Sequence, residues 1–152
     1  MNYKLNWILK KFDALTNDEL YAILQLRNEI FAVEQNSVYP DLDNKDQVAN
    51  HLMGWQENNL VAYTRLIPSG VTFPNPYISR VVTSKSVRRT GVGRILMQNS
   101  IIECEKLFGK LPIQIGAQLY LKKFYESFDF HQTSDIYLED GIEHIEMIKN
   151  NH

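Results

Sequence analysis

The chain has 152 residues, with 16 basic and 18 acidic side chains for a formal net charge of -2, and 44% of its residues are hydrophobic. That is an ordinary globular balance, large enough to bury roughly two-thirds of the unfolded surface without a disulfide or metal staple, and one domain over 1–152 is expected. It excludes an extended basic face for nucleic acid. No long apolar run follows the N-terminal residues, so neither a signal peptide nor a membrane span is expected, and the reading is a soluble, cytoplasmic protein.

Taken in order, Leu5 to Leu9 alternates as a first strand. Thr16 and Glu19 then form a capping box, and a helix follows through Leu20, Ile23, Leu24, Ile30 and Phe31. Arg27, Glu29, Glu34 and Gln35 lie on its flank, Glu29 on a solvated face. Residues 36–50 are irregular and acidic, with Pro40 and an Asp/Asn cluster marking a loop. Asp41-x-Asp43 begins like a calcium loop but lacks the required glycine and distal glutamate, so no metal is expected. The loop's carboxylates remain either solvated or the wall of a pocket for a cationic amine. His51–Gln56 and Leu60–Ile67 form a hairpin around Glu57-Asn58-Asn59. A loop from Pro68 to Pro76 feeds a central strand, Tyr77 to Thr83.

After a glycine-containing loop a long helix runs from Arg94 to Phe108, with Gly109 and Pro112 as its stop signals. Cys104 lies in that apolar helix and reads as a buried, inert thiol. Ile113–Ala117 is a short buried strand and Tyr120–Phe128 a short helix. Phe130–Leu138 and Ile142–Ile148 close the chain as an antiparallel pair. This order gives a mixed α/β sheet with helices on both faces. Its βαβ unit should be parallel and right-handed, with a ligand at the strand C-terminal ends.

The loop inside that unit carries the chemistry. Between a strand end and a helix start, backbone N–H groups point together and the helix dipole adds positive charge, which suits an anion and above all a phosphate. Gly91 and Gly93 allow close backbone approach. Lys85, Arg88, Arg89 and Arg94 place four cations around the loop in a chain of opposite net sign. Neither the dinucleotide fingerprint nor the P-loop pattern is present.

What is present, Arg88-x-x-Gly91-x-Gly93, resembles the pyrophosphate loop Q/R-x-x-G-x-G/A of the GNAT N-acetyltransferase superfamily. Gln118 to Phe130 is similar to that family's second motif, N-x-x-A-x-x-[LF]-Y-E-x-x-G-F, with Leu121 replacing Ala and Asp129 replacing Gly. Nearly the whole chain resembles the ElaA-like branch, through Leu26-Arg27, Phe31-Ala32-Val33-Glu34-Gln35, the Asp43, Asp46, His51 series, Arg80-Val81-Val82 and Glu139 to His144. The branch usually has Pro where Glu143 stands.

The resemblance implies a single-domain, mostly antiparallel sheet whose central βαβ unit binds acetyl-coenzyme A as co-substrate. Val81, Val82, Thr83, Arg88, Arg89, Thr90, Gly91, Val92, Gly93, Arg94, Gln118 and Tyr125 would contact it. Val82 would offer its N–H to the oxyanion, and Tyr125 would protonate the departing thiolate, since a phenol near 10 lies just above a thiol near 8.5. Glu34 comes first as base, ahead of His51, His144, Asp43 and Asp46, with water as the alternative. Arg27, Glu34, Asp43, Asp46 and His51 would surround a small-molecule or peptide amine. The same fold also serves acyl-homoserine-lactone synthases, and a non-catalytic coenzyme A-binding module is the remaining reading. A homodimer through the terminal strands is compatible with this fold, and no membrane partner is expected.

Overall fold

The computed structural model describes residues 4–36 and 40–151. Part of the acidic loop expected over 36–50, residues 37–39, lies outside them. Strands β1 (Asn6–Lys11), β2 (Asn50–Gln56), β3 (Asn59–Ile67), β4 (Tyr77–Thr83), β5 (Ile113–Gln118), β6 (Phe130–Gln132), β7 (Tyr137–Glu139) and β8 (Ile142–Lys149) are joined with helices α1 (Asn17–Arg27), α2 (Val92–Phe108) and α3 (Lys122–Glu126). The eight strands make one sheet in the order β1-β2-β3-β4-β5-β8-β6, with β7 also paired to β8. Every pairing is antiparallel except β4 with β5, which is parallel. A mixed, mostly antiparallel sheet with helices on both faces is thus what the sequence pattern leads to.

The capping box forms, Thr16 Oγ accepting from the Glu19 N–H at 3.1 Å and the Glu19 carboxylate accepting from the Thr16 N–H at 2.8 Å. The helix it starts does not stay α-helical to Phe31. It passes at Asn28 into a π-helical segment, Asn28–Glu34, a winding that often accompanies functional sites. Helix α2 starts at Val92, two residues earlier than expected. Gly91, at φ 90, is its N-cap and Gly93 falls inside the first turn. The expected Tyr120–Phe128 helix is a 3₁₀ turn, Leu119–Leu121, followed by the five residues of α3. Asp129 takes φ 70 where the family pattern has glycine, a left-handed conformation that Asp tolerates better than most residues.

The expected strand Phe130–Leu138 is divided in two. Between β6 and β7 the Ser134 hydroxyl accepts from the Glu146 N–H at 2.9 Å, so a side chain replaces the ladder bond and the edge bulges.

Side chains alternate across the sheet. On one face α1 packs Ile23 and Leu26 against Met53, Tyr63 and Val82. On the other, Met97 and Cys104 of α2 and Tyr125 and Phe128 near α3 meet Leu66, Ile115, Ile145 and Met147. Adjacent Tyr63 and Thr64 show the alternation, because Thr64 Oγ1 lies 2.8 Å from Ser100 Oγ on α2. Cys104 is 1% exposed, and burial pushes its thiol up to about 12, consistent with an inert structural role. Among the described residues no helix is long and apolar enough to cross a membrane.

Candidate active site

A bulge in β4 opens the site. Val82 pairs with Tyr63 and Ser79 with Arg65, so Arg80 and Val81 together oppose Thr64. Arg80 sits at φ 54. An extra residue on one strand bends it and raises its twist. Strand β4 accordingly stays beside β5 for only two rungs, Tyr77 with Gln114 and Ile78 with Ile115. Beyond them the strands diverge around a cleft of about 1120 Å³, lined by Val81, Val82 and Thr83 on one side and Gly116 and Gln118 on the other.

At the start of α2, Gly91 needs its glycine for φ 90, and a Cβ built on Gly93 meets nothing within 4 Å. The first turn therefore presents bare backbone to open space, with Arg88 and Gly93 lining the cleft mouth. Not every expected contact residue faces this way. Arg94 donates to Ser127 Oγ at 3.0 Å and lies 4.6 Å over the Phe128 ring, tying α2 to α3. Val92 is 1% exposed in the core. The Thr90 hydroxyl donates to the Val87 carbonyl and shapes the loop. Arg89, Thr90, Gly91, Val92 and Arg94 are not among the residues that line the cleft, whereas Tyr125 is. Burial raises the Tyr125 phenol above its usual range, so it stays protonated.

Glu34, at the end of the π-helical segment, forms an ion pair with Arg88. That hydrogen-bonded guanidinium holds its carboxyl below the usual range, which makes a paired Glu34 a poor proton acceptor.

The acidic loop is not an open lure for cations. Arg27 binds Asp41 at 2.9 Å and Asp46 at 2.8 Å, Arg65 binds Asp43 at 2.8 Å and Asp46 at 2.9 Å, and Arg80 binds Asp41 at 2.8 Å and Asp43 at 3.3 Å. Three arginines thus neutralise three aspartates, and the loop is stitched to α1, β3 and β4. Arg27 and His51 are 0% exposed. His51 Nε2 meets the Asp46 carbonyl at 2.9 Å and can only donate to it, so Nδ1, 2.6 Å from the Tyr63 hydroxyl, accepts. Burial lowers the His51 pKa and keeps the ring neutral. Arg27, Asp46 and His51, expected around the amine, are therefore framework residues, while Glu34 and Asp43 do line the cleft.

Burial alone would raise the Asp43 carboxyl, but Arg65 and Arg80 more than offset it and hold it at about 2. Asp46 is likewise raised by burial and lowered further by Arg27 and Arg65, for a net fall. Depressed carboxyls contribute their stability fully above the unfolded value, about 4, and lose it as pH falls through the folded one. Thermal melts across an acid series should therefore hold level down to about pH 4 and then fall steeply toward pH 2. A flat profile through that window would contradict the network.

Sequence reasoning missed part of the site. Tyr77, Tyr137 and Glu146 line the cleft together with His144, whose Nδ1 donates to the Ile142 carbonyl at 2.7 Å. The signal was the polar alternation of β8, where His144 and Glu146 interleave with the fully buried Ile145 and Met147. Among the described residues no group of three or more His, Cys, Asp or Glu could hold a metal ion.

A sheet split beside a bulge, with a bare helix start at the mouth of the gap, frames the candidate site. The chain belongs to the GNAT acetyltransferase family, whose domain model matches residues 22–151. It is 37% identical to the ElaA protein of Escherichia coli K12 over 147 residues, 95% of this chain and 96% of that one. A crystal structure of that protein superposes with a TM-score of 0.91 at 36% identity, over 97% of this chain and 100% of that chain. An acyl-CoA N-acyltransferase from Pseudomonas aeruginosa superposes with a TM-score of 0.93 at 38% identity, over 96% of this chain and 99% of that chain. The acyl-homoserine-lactone synthase BjaI shares the fold, with a TM-score of 0.80 at 16% identity over 98% of this chain and 84% of that one.

Proposed function

We propose that the protein is an N-acyltransferase that moves an acetyl group from acetyl-coenzyme A directly to an amine in the cytoplasm. The observation that carries this is the gap between β4 and β5, with the uncovered start of α2 at its mouth and the Tyr125 phenol on its wall. The donor supplies a thioester already activated for acyl transfer. The amides around Gly91 and Gly93, with Arg88, would hold its diphosphate. Val81 to Thr83 and Gln118 would follow its pantetheine arm, and Tyr125 would donate a proton to the leaving sulfur; the Val82 N–H, expected at the oxyanion, is turned to Tyr63 in the β3–β4 pairing instead. A diphosphate seated there would compete with Glu34 for the Arg88 guanidinium. The amine proton leaves through water.

Calorimetry tests this. Acetyl-coenzyme A should bind the wild type, and Gly93→Val, whose side chain enters the open cradle, should weaken binding about tenfold or more, roughly 1.4 kcal/mol, at an unchanged melting temperature. No heat with the wild type, or equal affinity in a folded Gly93→Val, overturns the reading.

A further inference from the structure

Resting on the acyl-transfer reading, the cleft also indicates what the acceptor carries. On β5, Gly116 sits opposite Glu146 of β8 in register. A Cβ on Gly116 would overlap the Tyr77 hydroxyl and lie 3.2 Å from Glu146 Oε2 and 3.4 Å from the Tyr137 hydroxyl. One carboxylate oxygen and two phenol oxygens therefore converge over the glycine, and Gly116, Tyr77, Tyr137 and Glu146 all line the cleft. The carboxylate is held in place, because the Tyr137 hydroxyl donates to Oε2 and Gln114 Nε2 donates to Oε1 at 2.9 Å. A carboxylate has about four acceptor positions, so two protein donors leave it capacity for a further donor. Across the cleft, Arg65 and Arg80 are engaged by Asp41, Asp43 and Asp46. Lys45 also lines the cleft, as do Glu139 and Asp140 at the β7–β8 turn.

We propose that this cluster is an anchoring subsite for an ammonium group of the acceptor, distinct from the nitrogen that is acylated. An ammonium has three N–H donors and no acceptor, and the cluster groups three oxygens over Gly116 on the cleft wall. The Tyr137 hydroxyl, whose proton goes to Glu146, can still accept through a lone pair. A nitrogen gripped by three acceptors beside a carboxylate keeps its proton and is not a nucleophile. The reacting nitrogen is therefore a second one, and the acceptor class is an aliphatic diamine or polyamine. An acceptor lacking that charge leaves the partly desolvated carboxylate without a third donor, which a polar site penalises.

The test measures thiol release from acetyl-coenzyme A with 1,4-diaminobutane, spermidine and the single-nitrogen analogue butylamine, for the wild type, Glu146→Gln and Tyr77→Phe. Acetyl-coenzyme A binding is followed by calorimetry on each. The wild type should prefer the diamine or triamine over butylamine by about tenfold or more in kcat/KM. Glu146→Gln should reduce kcat/KM for the polyamines about tenfold more than for butylamine, chiefly through KM, and Tyr77→Phe should do so to a smaller degree. Acetyl-coenzyme A affinity should stay within about twofold of the wild type in each variant. No preference for the second nitrogen, equal losses on all three amines in Glu146→Gln, or no turnover of either polyamine overturns the subsite. If the coenzyme still binds, the acyl-transfer reading survives that failure; a wild type that does not bind it removes both.

Discussion

Replacing Tyr125 with phenylalanine is expected to lower kcat for thiol release about 100-fold or more while moving the KM for acetyl-coenzyme A less than about threefold. A positioned general acid is worth about 10² to 10⁴ in rate, and the substitution removes one oxygen and little else. The ring stands edge-on to Phe124 at 5.2 Å and to Phe130 at 6.2 Å, and phenylalanine keeps both contacts. Burial holds the phenol protonated at any working pH. A thiolate leaving into the same dry wall has its own pKa raised, which keeps donor and acceptor matched. Loss of kcat with KM nearly unchanged is the signature of an interaction made only as the bond breaks. Turnover equal to the wild type would take Tyr125 out of the mechanism.

The second large effect is on stability. Arg27→Ala should cost about 3–5 kcal/mol, the range for breaking a buried ion pair by removing one partner. For a chain of this length that is a fall of roughly 10 °C in Tm. Its guanidinium is fully buried and donates to the Asp41 carboxylate and carbonyl and to Asp46. Removing it leaves Asp46 with half its compensation at a position 7% exposed. Arg80 makes similar bonds, but its side chain is 18% exposed, so water can replace part of what is lost and Arg80→Ala should cost less. Equal melting temperatures for Arg27→Ala and the wild type would show that the buried pairs do not hold the loop. Thermal unfolding with circular dichroism decides it.

The two cases also show what a linear reading can reach. The strand, glycine loop and helix from Tyr77 to Phe108 were legible because each is a local pattern: alternation, glycine at a left-handed position, helical spacing. The motif singled out Tyr125, which the structure has on the cleft wall. The role of the acidic loop was not. Asp41, Asp43 and Asp46 look like free carboxylates until the fold brings Arg65, 22 residues beyond Asp43, and Arg80, 39 beyond Asp41, against them. Charge compensation at that separation leaves no trace in composition. The extent of α2 was misjudged by two residues because Gly93, weak in a helix interior, is harmless in a first turn whose amides need no intrahelical partner. The Tyr77, Tyr137 and Glu146 convergence depends on strand register, which alternation alone does not specify across β4, β5 and β8.

The bulge at Arg80 and Val81 has a bearing on how quickly the protein can be loaded. Because the central strands part company after two rungs, the groove already exists in the folded chain, and its cost was met when the sheet assembled. A ligand arriving there has no β4–β5 ladder to unzip. Uptake should then follow the encounter rate of two charged bodies, sensitive to salt at the cationic mouth.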